Sequence, residues 1–256
     1  MCERQGRRPV PSNTLPPFRL YTITIMLPLR DTIAARRLPI VLWALVFVNV
    51  LVFLREIDLS PVELRAFVFH YGMIPAQLST WPGLAQHWAT IITAMFVHGG
   101  FLHIAGNMWF LWIFGDNVED RLGHLRFLLF YLLGGCAAAT LQVLLAPSST
   151  VPGIGASGAI AAVMGAYLVL YPRAGVVSLL IFPPLLFQLP AFMWIGIWFV
   201  EQWFNGIVTL HVAAQGGVAY WAHVGGFVFG LLVGLVLCCG PRRTFAYGYD
   251  RDGPWH

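Results

Sequence analysis

Ser157 follows Gly155 and Ala156 and precedes Gly158, where a glycine-lined turn from Val151 gives way to an apolar run of small residues. A serine hydroxyl becomes a nucleophile when a base takes its proton, and a neutral imidazole within hydrogen-bond reach can do so. Three further polar residues stand in apolar surroundings: His103 and Asn107, four apart and so on one helix face, and His223. This set offers a nucleophile in Ser157 and a base in His223. The Ser157 backbone N–H, the Asn107 amide and His103 are donors for a developing oxyanion. No acidic residue sits at a matching depth beside His223, and nothing in the sequence links Glu201 to it, so the expectation is a Ser–His dyad without a buried carboxylate.

Each residue also has a structural explanation. A serine at a helix start commonly caps it, and a histidine within a membrane helix can serve an interhelical hydrogen bond. His98 and His103 lack a third ligand at metal-binding spacing, so neither a metal nor another cofactor is expected. Taken singly, the structural explanations suffice; the shared depth of the four residues favours catalysis.

That depth follows from the elements that carry them. The 256 residues are 58% apolar and 10% charged, with mean hydropathy +0.73. A soluble domain is about a quarter charged, so the expected class is an all-α membrane protein in contact with the lipid bilayer. A net charge of +4 at this hydropathy does not point to nucleic acid. Cys2, Cys136, Cys238 and Cys239 have no metal or disulfide spacing and read as packing residues.

Six apolar segments are near spanning length: 38–54, 102–114 with its flanks, 127–146, 157–171, 176–199 and 220–239. The fifth carries Pro183, Pro184 and Pro190 and is expected to be bent. Residues 1–37 form an N-terminal arm with an interfacial segment near 29–37, and translation from Met26 is an alternative to Met1. Residues 38–239 form a six-helix membrane domain, and residues 240–256 a tail. Between the first two spans, residues 55–98 read as a long structured loop, rich in aromatics, lying partly in the interface.

All fifteen basic residues are arginine, and thirteen fall on one side of this map: seven in the N-terminal arm, two in 116–126, one at 173 and three in the tail. The positive-inside tendency then puts both termini in the cytoplasm of a multi-pass protein of the cell's inner or plasma membrane. His103, Asn107, Ser157 and His223 all fall within about two turns of the outer ends of their helices. Ser157, Ala161 and Gly165 on the fourth span, and Gly226, Gly230 and Gly234 on the sixth, form small-residue faces that let two helices approach closely. Their contact brings His223 toward Ser157. A small transporter is the weaker reading, with few charges at depth and no evident inverted repeat.

The stretch His98-Gly-Gly-Phe-Leu-His103-Ile-Ala-Gly-Asn107, then Gly155-Ala-Ser157-Gly158, then Ala222-His223-Val-Gly-Gly226 with Gly230, resembles the rhomboid family of intramembrane serine proteases. Glu119 to Gly123 is similar to the family's turn after the second span. The resemblance covers about residues 38–239 and suggests the compact six-helix prokaryotic form. It implies cleavage of single-span or other transmembrane protein substrates near their outer ends, with Ser157 as nucleophile, His223 as base, and Asn107 with His103 at the oxyanion. No required protein partner is implied. The alternative within this resemblance is a non-catalytic protein that binds or escorts transmembrane segments. Two features depart from the family pattern. Ala161 stands where some members place an aromatic that stacks on the catalytic histidine, so Tyr220 or Trp221 is expected to orient His223. The first loop also shows no clear Trp–Arg pair.

Overall fold

The computed structural model describes residues 26–181, 183–211 and 218–239; the expected terminal arms 1–25 and 240–256 lie outside the described residues. The chain begins with strand β1 (Met26–Asp31) and enters helix α1 (Ile40–Ile57). Four short helices follow: α2 (Pro61–Tyr71), α3 (Pro75–Leu78), α4 (Trp81–His87) and α5 (Ala89–Thr93), which runs into a 3-10 turn at Ala94–Phe96. Next come α6 (Phe101–Leu122), α7 (His124–Leu145) and α8 (Ser157–Leu170). Strands β2 (Gly175–Leu180) and β3 (Leu185–Pro190) precede α9 (Ala191–His211) and α10 (Tyr220–Cys239).

Among the described residues, α1, α7 and α10 are each long and apolar enough to cross a membrane. The bent pair Ala89–Phe96 and Phe101–Leu122, with 96° between its parts, makes a fourth candidate span. Helix α8 has 14 residues, a rise of about 21 Å, and is short of a full hydrocarbon crossing. It is instead the core of the bundle, buried without interruption from Gly158 to Tyr167.

The reason is close packing with α10. A Cβ on Gly226 would stand 2.0 Å from the Gly158 carbonyl oxygen, and one on Gly230 would stand 1.9 Å from that of Ala162. A Cβ on Gly165 would in turn meet the Phe227 oxygen at 2.3 Å. Only glycine allows backbones this near, and dispersion contacts then replace the hydrophobic drive that lipid does not supply. The strip facing α10 is thus Gly158, Ala162 and Gly165, shifted by one position from the expected row at its first two members.

Two expectations are corrected. The fold is mostly helical rather than all-α, because β1, β2 and β3 form an antiparallel sheet in that order, with a bulge between Pro28 and Arg30. The apolar run 176–199 is not one bent helix. Its first part is the β2–β3 hairpin, with Pro183 and Pro184 in the turn, and the helix begins at Ala191 after Pro190. Prolines suit a turn and a helix entry and oppose a helix interior. The segment read as interfacial begins in β1, whose pairing with β2 satisfies backbone groups that an isolated segment would leave open.

The sheet sits at the end of the bundle opposite Ser157, and polar side chains bind that end together. Glu119, 1% exposed, accepts from the Val41 and Leu42 N–H groups at 2.9 and 2.8 Å and so caps α1. His124 Nδ1 lies 2.6 Å from Glu119 Oε1. These contacts carry α6 about two turns past the expected 102–114 core, and Gly123, at φ +80°, turns the chain into α7.

Candidate active site

At the other end, Ser157 is the first residue of α8. The N-cap position is taken by Ala156, so the Ser157 hydroxyl is not the helix cap. Instead, Ser157 Oγ lies 2.8 Å from His223 Nε2. The glycine contacts described above set the α8–α10 separation that permits this distance.

On its far side the imidazole meets a residue that sequence reasoning missed. His223 Nδ1 lies 2.8 Å from Gln202 Oε1, with both residues buried. An amide oxygen only accepts, so Nδ1 carries the proton and Nε2 presents its lone pair to Ser157. Trp198, one turn before Gln202 on α9, holds its ring 5.9 Å from the imidazole at an interplanar angle of 35°. Tyr220 meets His223 edge-on at 6.5 Å, as one of the two expected aromatics. Trp221, the other, packs against Trp203 instead, with ring centroids 5.5 Å apart. Glu201 is exposed, while its neighbour Gln202 faces the site.

A signal for Gln202 existed. Among the described side chains of α9, Ala191, Trp194, Ile195, Gln202 and Gly206 are buried, and Gln202 is the polar member of that face. Setting the fifth span at 176–199 left it just beyond the helix.

Asn107 and His103 lie together against the turn that precedes Ser157. Gly155 has φ +111°, and a Cβ there would stand 2.5 Å from His103 Nε2 and 3.4 Å from Asn107 Nδ2. Glycine therefore serves both the backbone conformation and the close approach. His103 Nδ1 accepts from the Gly99 N–H at 3.3 Å, which leaves the proton on Nε2, the atom facing Gly155. Asn107 is 7% exposed, and among the described residues its Nδ2 has no hydrogen-bond partner. A buried amide donor without a partner is costly unless something else occupies it. The Ser157 N–H belongs to the first turn of α8, where backbone donors lack intrahelical partners. Three donor groups thus flank the nucleophile at a helix N-terminus, which favours negative charge.

The turn before His103 is fixed from α1: Glu56 accepts from the His98 N–H through both oxygens, at 3.0 and 3.1 Å. His98 is buried, with its ring 5.0 Å from that of His103. A cavity of about 50 Å³, lined by Met95, Ala138, Ile154, Gly158 and Ala222 among others, reaches Ser157. Among the described residues, no group of three or more potential ligands is arranged to hold a metal.

The family model described as Rhomboid domain matches residues 85–240. The chain is 32% identical over 170 residues to Rhomboid protein 1, mitochondrial, of Saccharomyces cerevisiae, covering 65% of this chain and 46% of that protein. It is 30% identical over 152 residues to RHOMBOID-like protein 6, mitochondrial, of Arabidopsis thaliana, covering 59% and 44%. To Rhomboid protease GluP of Bacillus subtilis it is 38% identical over 81 residues, 32% of this chain and 15% of that one. In each case the match spans less than half of the relative's length.

Proposed function

The chain belongs to the rhomboid family and is an integral membrane protein, and from that premise we propose that it is an intramembrane serine endopeptidase. It hydrolyses peptide bonds in or near the outer ends of transmembrane protein substrates. The observation that carries this reading is the 2.8 Å contact of Ser157 Oγ with His223 Nε2, backed by Gln202 on Nδ1.

Ser157 attacks the scissile carbonyl carbon while His223 Nε2 takes the hydroxyl proton. The imidazolium then gives that proton to the leaving amine, the C–N bond breaks, and an acyl-enzyme remains. Water, activated by the same nitrogen, attacks the ester and frees Ser157. The negative charge of each tetrahedral intermediate is met by the Ser157 N–H, Asn107 Nδ2 and His103 Nε2. The Gln202 carbonyl keeps the imidazole ring in line and favours the tautomer that leaves Nε2 basic. A hydrogen-bonded helix shields its carbonyls, so substrates with Gly- or Pro-weakened outer turns are cleaved preferentially.

The topology that goes with this function has six transmembrane helices: α1, α6, α7, α9, α10 and the shorter α8, which the others enclose. Residues 1–37 form a cytoplasmic arm, 38–239 the membrane domain and 240–256 a cytoplasmic tail. The site opens to the outer face of the cell's inner or plasma membrane, through which water enters. The arginine distribution supports this orientation, since thirteen of the fifteen fall in the segments assigned to the cytoplasm.

The test is cleavage of a single-span model substrate in proteoliposomes by the wild type, Ser157→Ala and His223→Ala. The expected result is cleavage by the wild type alone, with both variants folded. Capture of the substrate by the wild type without any product would favour a non-catalytic, segment-binding protein instead.

A further inference from the structure

At the end of the bundle opposite Ser157, a cavity of about 330 Å³ opens between residues 35–39, the start of α1 and the inner part of α6. Arg36, Arg37, Trp43, Trp112 and Asp116 are among its lining residues. None of them takes part in the catalytic arrangement.

The charges in this cavity are of two kinds. Arg36 and Arg37 bring guanidinium groups of five N–H donors each, so that Arg36, which has an interaction elsewhere, keeps donors for a phosphate oxygen. The Arg37 ion pair with Asp120 is long, at 3.9 Å, and the Arg37 side chain is 54% exposed, so it competes weakly for that guanidinium. Across the cavity stands a carboxylate. Asp116 Oδ1 accepts from the Asn117 N–H at 2.7 Å and from Asn117 Nδ2 at 3.0 Å. The same Nδ2 also donates to Asp31 Oδ2 at 2.9 Å. One amide thus serves two carboxylates. A cation beside Asp116 would relieve that local excess of negative charge.

The cavity leads into apolar surface. Trp43 is 44% and Trp112 59% exposed. Above Trp43, the exposed residues Phe47, Leu51 and Leu54 continue one stripe of α1. That stripe runs about 16 Å, comparable to much of an acyl chain. Indole rings beside arginines at a helix end are typical of the headgroup level of a bilayer.

We propose that this cavity is a binding site for an aminophospholipid, a lipid whose headgroup carries a phosphate and a primary ammonium. Arg36 and Arg37 hold the phosphate, Asp116 accepts from the ammonium, and an acyl chain lies along Trp43, Phe47, Leu51 and Leu54. An anionic lipid without the ammonium brings its phosphate toward Asp116 and has no ammonium to donate to it. A quaternary ammonium has no N–H to give Asp116. A soluble phosphoethanolamine leaves the apolar stripe unused. The proposal requires membrane insertion and does not rest on protease activity.

The experiment is native mass spectrometry of the delipidated full chain in detergent, titrated with phosphatidylethanolamine, phosphatidylglycerol, phosphatidylcholine and free phosphoethanolamine. Phosphatidylethanolamine is expected to bind about 10-fold more tightly than phosphatidylglycerol or phosphatidylcholine, the worth of one charge-assisted hydrogen bond, and also more tightly than free phosphoethanolamine, which lacks the acyl chain. Asp116→Asn should abolish its advantage over phosphatidylglycerol, and the pair Arg36→Gln/Arg37→Gln should weaken both lipids. Equal binding of all three lipids would overturn the proposal, as would tighter binding of phosphatidylglycerol or unchanged binding by the arginine variant. Equal affinity for free phosphoethanolamine would overturn the lipid assignment in favour of a soluble ligand. If the arginine variant does not fold, the wild-type ranking and Asp116→Asn still decide.

Discussion

Gln202 Oε1 lies 2.8 Å from His223 Nδ1, on the side of the ring away from Ser157. A carboxylate here would hold the ring and also stabilise the imidazolium; an amide oxygen holds the ring with only a dipole. The arrangement is a serine, a histidine and a neutral acceptor. Trp198, stacked obliquely on the same ring from one turn earlier on α9, provides the aromatic contact that Ala161 cannot.

Replacing Gln202 with Leu keeps the side chain's bulk but removes the acceptor. The Nδ1 proton is then buried without a partner, and the ring is free to adopt the other tautomer. We expect kcat to fall about 10–100-fold, as for loss of a hydrogen bond worth roughly 1.4–2.7 kcal/mol, with KM little changed. Gln202→Glu keeps an acceptor oxygen and should retain more activity than Gln202→Leu. A parallel rise in KM, or no kcat loss in a folded Gln202→Leu, would mark the contact as structural. Cleavage kinetics in proteoliposomes separate the cases.

Among the described residues Asn107 Nδ2 has no partner although the residue is buried, which suits a donor reserved for the reaction. Asn107→Ala should lower kcat by about 100–1,000-fold, the usual effect of removing one oxyanion donor. The same change relieves a buried unpaired amide, so the thermal midpoint of the resting protein should stay level or rise. Opposite movements of activity and stability are the signature to look for. A variant that loses both has lost packing.

The α8–α10 contact gives a sharper stability prediction. Gly230→Ala puts a methyl 1.9 Å from the Ala162 carbonyl oxygen, a backbone atom that cannot rotate away. Overpacking of this kind costs about 1–3 kcal/mol or more. It also moves His223 away from Ser157, so labelling by a fluorophosphonate probe should fall together with the thermal midpoint. Gly196→Ala is the control, since a Cβ there meets nothing within 4 Å and alanine suits a helix. Equal effects from the two substitutions would rule out close approach as the cause.

Much of the helical scaffold was legible because apolar length and small-residue spacing are local signals. The starts of α1, α6, α8 and α10 fall within about two residues of their expected positions, well inside ordinary boundary error. The fifth segment was not legible for an equally physical reason. Val176 to Leu180 and Leu185 to Leu189 are as apolar as a span, and hydropathy does not distinguish a strand from a buried helix. Only the pairing of the first with the second, and with β1 some 150 residues earlier in the chain, makes them strands. That error hid Gln202. The site's other members were visible because each is polar within an apolar run. The side chain that orients His223 lay beyond the expected end of its helix.

Asp31, at the end of β1, gives the last prediction. Its carboxylate accepts from Tyr167 Oη and from Asn117 Nδ2 and so ties the strand to α8 and α6. Burial raises its pKa to about 6, against smaller lowering effects from the Tyr167 bond, from backbone hydrogen bonds at Ile33 and Asp31, and from Arg30. Asp116 on α6 faces the same Asn117 amide, and Tyr171, just after α8, packs beside Tyr167. The folded protein therefore holds a proton on Asp31 at pH values where the unfolded chain has released it. Proton linkage then makes this contribution to stability complete below about pH 4. It is lost as pH rises through about 6. In Asp31→Asn the amide oxygen can still accept from Tyr167, and the group no longer titrates. The thermal midpoint of the wild type relative to Asp31→Asn, measured in detergent, should thus fall between pH 4.5 and 7 and level off above that range. A difference that is flat across the range, or that rises with pH, would show that Asp31 is ionised throughout and that β1 is held by charge rather than by a shared proton.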